Sequence, residues 1–127
     1  MEAAVAVFLG AGVGGLLRHM ANLAGVRFFG FTHFPYTTMV VNVTGCFMMG
    51  LFTALFVLKM GGIPQHVRLF LTTGMLGGFT TYSTFSLEFA VLVERGALTH
   101  AALYAFGTLG LCLVAIFAGL HLVRALT

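Results

Sequence analysis

Charged side chains are rare in this sequence: its 127 residues include six Lys or Arg, three Asp or Glu, and no Trp. Apolar residues make up 60% of the chain, and the mean hydropathy is +1.07. A soluble domain of this length has too small an interior to bury so much apolar surface. The net charge of +3 is not gathered into a basic domain, so nucleic acid is not an expected partner. We therefore expect an integral membrane protein surrounded by lipid.

Residues that carry enzyme chemistry are also scarce. The two cysteines, Cys46 and Cys112, have no metal-ligand spacing, and we interpret them as small packing residues, with a disulfide as the less favoured alternative. No nucleophile with its base, phosphate loop or cofactor motif is present. The sequence predicts no enzyme. Placement near the ends of membrane spans is the simplest interpretation of the five histidines, His19, His33, His66, His100 and His121.

Four hydrophobic stretches are long enough to cross a bilayer, because a hydrocarbon core of about 30 Å needs roughly 20 residues of α-helix. Short polar breaks separate them, so we expect a single four-span membrane domain over residues 1–127. The chain lacks the basic start of a cleaved signal peptide, so its first stretch is expected to be a span. Segments of this length favour helices over barrel strands. The predicted spans cover about residues 3–26, 36–58, 67–93 and 98–123.

The loop charges set little preference for one orientation in the membrane. Lys and Arg in short loops usually accumulate on the cytoplasmic side. Here one predicted face carries Lys59, Arg68 and Arg124, and the opposite face carries Arg27 and Arg95. Because the bias is only three against two, the chain is predicted to insert in both orientations.

Polar side chains lie inside spans, where a lipid-facing helix would not place them. Arg18 in the first span either extends to the membrane surface or helps to attract an anion. Thr38 and Asn42 share one face of the second span, and cross-helix hydrogen bonding alone would account for the Asn amide. Tyr104 and Thr108 form a second polar track in the fourth span. Helix packing and contact with an ion are both open as explanations of these two polar tracks.

The third span contains the least helix-like segment. Gly77 and Gly78 are followed by a Ser/Thr-rich run that extends to Ser86. Ser and Thr side chains compete for backbone hydrogen bonds, and glycines weaken a helix. We therefore expect the third helix to break near mid-membrane, where free backbone groups that face protein or water are available to bind ions. A simple kink at the two glycines is the less favoured alternative.

Residues 77–88 read GGFTTYSTFSLE, which resembles the signature of the Fluc family of small fluoride channels. Two shorter segments support the resemblance in the same order: GGLLR at 14–18 and TMVVNVTG at 38–45. The similarity covers essentially the whole chain. It implies an all-α, antiparallel dual-topology homodimer in a bacterial inner membrane, with two narrow pores through which cytoplasmic fluoride leaves passively, giving fluoride resistance.

The resemblance also implies functional residues. A structural sodium ion at the dimer centre would be held by the backbone carbonyls of Gly77 and Thr80, each contributed twice. Arg18 would lie at the pore entrance. A strongly hydrated anion needs replacement donors, and amides, hydroxyls and the positive edges of aromatic rings supply them. The implied pore residues are Asn42, Tyr82, Phe85, Thr38, Ser83, Thr84, Tyr104, Thr108 and Glu88.

The chain departs from the family pattern at a few positions. Tyr82 stands where many relatives have Phe, and its hydroxyl lies at the far end of the ring. His19 stands where an aromatic is common. Thr108 and Cys112 stand where serines are often found.

Two other functions compete with the channel. A small dual-topology multidrug exporter has the same four-span layout, but it relies on an acidic residue in its first span and on a Trp-rich drug-binding face. Here Glu2 is terminal, the first span carries Arg18, and Trp is absent. A non-transporting assembly subunit, packed through small residues, would explain the glycines alone. It would not explain Asn42 together with the Ser/Thr run.

Overall fold

The computed structural model describes residues 1–58 and 62–127, and the predicted all-helical fold is confirmed for them. Three helices, Glu2–Phe29, Tyr36–Leu58 and Leu98–Leu126, are long and apolar enough to cross a membrane. Lys59, one of the predicted loop charges, lies outside the described residues. In chain order the elements are α1 Glu2–Phe29, α2 Tyr36–Leu58, α3 Gln65–Leu69, a π-helical segment Phe70–Leu76, α4 Gly77–Phe79, α5 Tyr82–Glu94 and α6 Leu98–Leu126.

The third predicted span consists of two shorter helical pieces. The first, α3 to α4, is continuous over residues 65–79, and we call it the 65–79 helix. Thr80 and Thr81 then have extended backbone conformations, with ψ of 157° and 117°. The second piece, α5, is capped by the Thr81 side chain, which accepts a hydrogen bond from the Thr84 N–H at 3.2 Å. In a continuous helix the Thr84 N–H would donate to a backbone carbonyl, whereas here it donates to the Thr81 hydroxyl.

α1 packs against the 65–79 helix through glycine. A methyl group added to Gly10 would collide with the backbone carbonyl of Phe70, and one added to Gly14 would collide with that of Met75. Small residues let helix backbones approach this closely in a membrane, where van der Waals contact drives association. The two helices therefore meet backbone to backbone, with no space for side chains at these points.

α2 and α6 lie side by side and run in the same direction. A methyl group added to Gly50 of α2 would collide with the carbonyl of Ile116, and one added to Gly119 of α6 would collide with the carbonyl of Phe47. Toward the N-terminal ends, Thr38 of α2 and Tyr104 of α6 both donate hydrogen bonds to the Glu88 carboxylate. Contacting positions therefore increase together along the two helices, which makes the pair parallel.

Little of the subunit is buried within itself. In the apolar windows of α1, α2 and α6, 11%, 28% and 17% of the residues are buried. A small core forms around Leu92, Ala101 and Tyr104. Large apolar side chains such as Phe8 and Phe117 are exposed. Their exposure suits a chain whose outer surface contacts lipid or another subunit.

Candidate functional site

The interruption at Thr80 and Thr81 is held by Asn42 of α2. The buried Asn42 side chain donates from Nδ2 to the Thr81 carbonyl at 3.1 Å and accepts at Oδ1 from the Thr81 N–H at 2.8 Å. In a continuous helix, the Thr81 N–H would bond to the carbonyl of Gly77. Asn42 therefore bonds to both the N–H and the carbonyl of Thr81. The Gly77 carbonyl does not receive the hydrogen bond that the Thr81 N–H would donate in a continuous helix.

Glu88 of α5 is held by hydroxyls from two other helices. Thr38 donates from Oγ1 to Glu88 Oε1 at 2.6 Å, and Tyr104 donates from its hydroxyl to Oε2 at 3.2 Å. Both donor residues are buried, and Tyr104 is completely enclosed. Each carboxylate oxygen thus has a hydroxyl donor, and the orientation of Glu88 is determined by α2 and α6 together.

Polar residues of α2 and α6 meet in three successive pairs, one helical turn apart. Residues four apart lie on one helix face, so both polar tracks point toward the same contact. Both residues of the first pair bond to Glu88, and the residues of the second and third pairs line one cavity. We call this surface the α2–α6 polar face; its pairs are Thr38 with Tyr104, Asn42 with Thr108, and Cys46 with Cys112.

A cavity of about 460 Å³ opens beside the α2–α6 polar face. Four of the predicted pore residues line it: Asn42, Tyr82, Phe85 and Thr108. The Thr108 hydroxyl is buried and has no hydrogen-bond partner among the described residues. Leaving a buried hydroxyl unpaired costs about 1–3 kcal/mol. An unpaired buried group needs an explanation, such as an ordered water or an ion that bonds to it.

Phe85 lies between two tyrosine rings at the wall of this cavity. Its ring centroid is 5.7 Å from that of Tyr82 and 5.0 Å from that of Tyr104, with the planes tilted by 45° and 44°. Tilted rings leave their positive edges accessible to neighbouring groups. Tyr82 is 81% exposed although it lines the cavity, so one chain alone does not enclose this space.

A second cavity, of about 320 Å³, lies near the N-terminal end of α2. Thr38, Thr84 and Glu88 line it, together with Asn22 of α1. Seven of the predicted pore residues therefore form two groups, one at each cavity, whereas Ser83, Tyr104 and Arg18 line neither cavity. Tyr104 contacts both groups, since its ring packs on Phe85 and its hydroxyl bonds to Glu88.

Arg18 of α1 approaches the interruption from the other side. Its Nη1 donates to the Thr80 carbonyl at 3.3 Å, and the side chain is half-buried. The guanidinium is thus anchored inside the subunit. A carbonyl oxygen has two lone pairs, so the Thr80 carbonyl keeps one acceptor position besides the one that Arg18 uses.

Thr81 is a central residue that the sequence analysis did not single out. It caps α5, pairs with Asn42 through its backbone, and has its hydroxyl 3.3 Å from that of Ser83 and 3.1 Å from that of Thr84. An available signal was its position three residues before Thr84, which is the spacing of an N-cap hydrogen bond. The pairing with Asn42 has no local signal, because 39 positions separate the two residues.

Comparison with known proteins gives consistent matches over nearly the whole chain. Residues 5–120 match the family described as "CrcB-like protein, Camphor Resistance (CrcB)". A "Fluoride-specific ion channel FluC" of Rhodopseudomonas palustris (strain BisB5) is 53% identical over 121 residues, which cover 95% of this chain and 96% of the relative. A protein of the same name from Granulibacter bethesdensis is 52% identical over 120 residues, covering 94% and 93%. The one from Methylobacterium nodulans is 52% identical over 118 residues, covering 93% of each.

Proposed function

Because this chain belongs to the CrcB-like family, in which similar proteins are named fluoride-specific ion channels, we propose that it is a passive fluoride channel that exports cytoplasmic fluoride and gives fluoride resistance. It is an integral protein of a bacterial membrane, with three helices long and apolar enough to span it. Ion channels are not enzymes, and the family membership disfavours the multidrug exporter and the non-transporting subunit.

The proposed fluoride route follows the α2–α6 polar face, and the unpaired Thr108 hydroxyl is the observation that carries this assignment. Fluoride is strongly hydrated and needs donors that replace its water. Thr108 has a hydroxyl without a partner among the described residues. Asn42 has two amide protons, of which Thr81 takes one. Both residues line the larger cavity, so they supply adjacent donors of moderate strength that allow fluoride to leave as well as enter.

Aromatic and hydroxyl groups extend this route in the proposal. The edges of Tyr82 and Phe85 offer positive potential without a full charge. Ser83 and Thr84 supply further hydroxyls between the larger cavity and the second one. Thr38 and Tyr104 lie along the same route, with their hydroxyl protons donated to Glu88. A carboxylate near an anion route is repulsive, and we assign the two hydroxyl bonds to Glu88 the role of holding its charge in a fixed position. Arg18, which donates to the Thr80 carbonyl, provides positive potential beside the interruption of the third span.

We propose that two oppositely inserted copies form an antiparallel homodimer with two pores. The large exposure of Tyr82 supports this, because a cavity open on one side in a single chain needs a neighbour to close it. The loop charges also support it, since a bias of three against two Lys or Arg permits both orientations.

The dimer is further proposed to hold a structural sodium ion where two interruptions of the third span meet near mid-membrane. The donor set fits such an ion: the Gly77 carbonyl lacks its helical donor, the Thr80 carbonyl keeps a free lone pair, and hard cations prefer oxygen ligands. Gly77 and Thr80 of each copy would hold the ion. Its charge would offset the repulsion between converging carbonyl dipoles.

A liposome assay tests the proposed function. Purified protein is reconstituted in vesicles loaded with fluoride, with chloride and a quaternary-ammonium drug as parallel cargoes, and no ATP or proton gradient is supplied. We expect rapid fluoride efflux, far slower chloride efflux and no drug transport. Fluoride efflux no faster than in protein-free vesicles would contradict the channel, and drug transport would favour the exporter.

A further inference from the structure

The two cysteines of the chain lie together at the third level of the α2–α6 polar face. Cys46 of α2 and Cys112 of α6 both line the larger cavity, and each lies one helical turn before the close contact between Gly50 and Ile116. Both are free thiols. The sequence holds no third cysteine, so any reaction with thiols occurs at this pair. Two thiols that line the same cavity at the same level of a parallel helix pair are a site for soft cations, which prefer sulfur ligands.

The number of ligands selects the kind of cation. A structural zinc site takes four ligands in a tetrahedron, and the described residues contain no cluster of three or more His, Cys, Asp or Glu side chains. Two thiolates alone suit a cation that prefers linear coordination. Charge narrows the choice further: a divalent cation with two thiolates makes a neutral complex, whereas a monovalent one leaves a net negative charge. A neutral complex suits this cavity, whose lining is mainly apolar.

We propose that Cys46 and Cys112 form a binding site for a soft, linearly coordinated divalent cation of the mercury(II) class, and that its occupation blocks the channel. Each thiol loses its proton to the buffer and forms one sulfur–metal bond, so one cation displaces two protons and nothing is oxidised or reduced. The bound cation bridges α2 and α6 one turn beyond Asn42 and Thr108 and fills part of the cavity that they share with both cysteines. The block rests on the proposed channel function, whereas the binding does not.

Binding is measured on the purified full-length protein with mercuric nitrate, from the ultraviolet absorbance of the thiolate–mercury bond. We expect one mercury ion per chain in the wild type and none in a Cys46→Ser/Cys112→Ser variant. A monothiol competitor distinguishes a two-thiol site from independent thiols, since losing one thiolate weakens binding by on the order of 100-fold. The competitor should strip mercury from either single Ser variant at concentrations that leave the wild type loaded. Equal stripping of wild type and single variants would overturn the two-thiol site.

Block is measured as fluoride efflux from liposomes before mercury, after one equivalent, and after excess dithiothreitol. Each variant is compared with its own metal-free rate, and elution as a folded dimer is checked first, with Cys→Ala variants replacing any Ser variant that misfolds. We expect wild-type efflux to fall to background and recover with dithiothreitol, while the double variant keeps its own rate. Full wild-type efflux with mercury bound, or equal block of the double variant, would overturn the proposal. No efflux before mercury would contradict the channel function instead, and the absorbance titration would still decide the site.

Discussion

Two helix pairs in this subunit differ in what fills the space between them. Between α1 and the 65–79 helix, Gly10 and Gly14 press against the backbone of the opposite helix. Between α2 and α6, Gly50 and Gly119 press against backbone toward one end. The other end carries the α2–α6 polar face, where the Thr108 hydroxyl has no partner among the described residues. The first pair has no room for an ion, whereas the second borders a cavity of about 460 Å³. We propose that α1 and the 65–79 helix serve as a scaffold and that α2 and α6 carry transport.

The largest effect is expected from a substitution that adds a side chain at the contact between α1 and the 65–79 helix. A methyl group at Gly14 collides with the Met75 backbone carbonyl, and overpacking costs about 1–3 kcal/mol even where flexible side chains are able to adjust. Gly14→Ala should therefore abolish folded protein or lower its melting temperature strongly. Gly12→Ala is the matched control, because a methyl there meets nothing within 4 Å. Similar melting curves for the two variants, measured after detergent extraction, would show that the glycine contact is not essential.

On the transport side, Asn42→Asp should reduce fluoride efflux to background. The carboxylate cannot donate to the Thr81 carbonyl, and it places negative charge on the proposed anion route. Asn42→Ser separates the two effects, since it removes the bonds to Thr81 without adding charge. We expect Asn42→Ser to have a lowered melting temperature and to keep more efflux per folded chain than Asn42→Asp. Normal efflux from folded Asn42→Asp protein would remove Asn42 from the route.

A smaller loss is expected from Phe85→Ile, which keeps bulk and apolarity but removes the ring edge. An aromatic contact contributes about 0.5–1.5 kcal/mol, so efflux should fall by up to roughly tenfold. Phe117→Ile on the exposed surface of α6 is the control and should change efflux little. If both variants conduct alike in liposomes, the aromatic positions serve packing only.

Thr108→Val tests the unpaired hydroxyl with an isosteric side chain. Removing a buried hydroxyl that lacks a protein partner should maintain or raise the melting temperature. Efflux should nevertheless fall by about fivefold, the loss of roughly 1 kcal/mol of donor interaction. A fall in stability with unchanged efflux per folded chain would mean that Thr108 supports the fold and not the ion.

The smallest effect is expected from Tyr82→Phe. The Tyr82 hydroxyl makes no hydrogen bond within the part of the chain that the structure covers, and the ring survives the change. Efflux should stay within about twofold of wild type, because only the far end of an exposed ring is altered. A loss comparable to that of Phe85→Ile would assign the hydroxyl a direct contact with the ion or with the second subunit.

Hydropathy predicted α1, α2 and α6 because long apolar helices have a strong local signal. From the two glycines and the Ser/Thr run we expected a break near mid-membrane. In the structure Gly77 is helical, and Thr80 and Thr81 are extended. Sequence did not distinguish Gly14 from Gly12, since only the packing of α1 decides which of them faces a backbone.

The sequence indicated which polar residues lie inside the spans, but not how those residues are arranged. The i, i+4 spacing of Asn42 after Thr38 and of Thr108 after Tyr104 indicated two separate tracks. The two tracks face each other because of the register between α2 and α6. That register is set by the close contacts of Gly50 and Gly119, which lie farther along the two helices. The bond from Asn42 to Thr81 joins distant parts of the chain and has no counterpart in local sequence.

The most direct test of this assignment is fluoride efflux per folded chain in a Phe85→Ile/Thr108→Val double variant, with melting temperature recorded on the same sample. Both substitutions introduce apolar side chains, and neither lies at the glycine contact between α1 and the 65–79 helix. The account predicts a folded protein of near-normal stability whose fluoride efflux approaches that of protein-free liposomes. Wild-type efflux from a folded double variant would contradict the assignment of transport to the α2–α6 polar face.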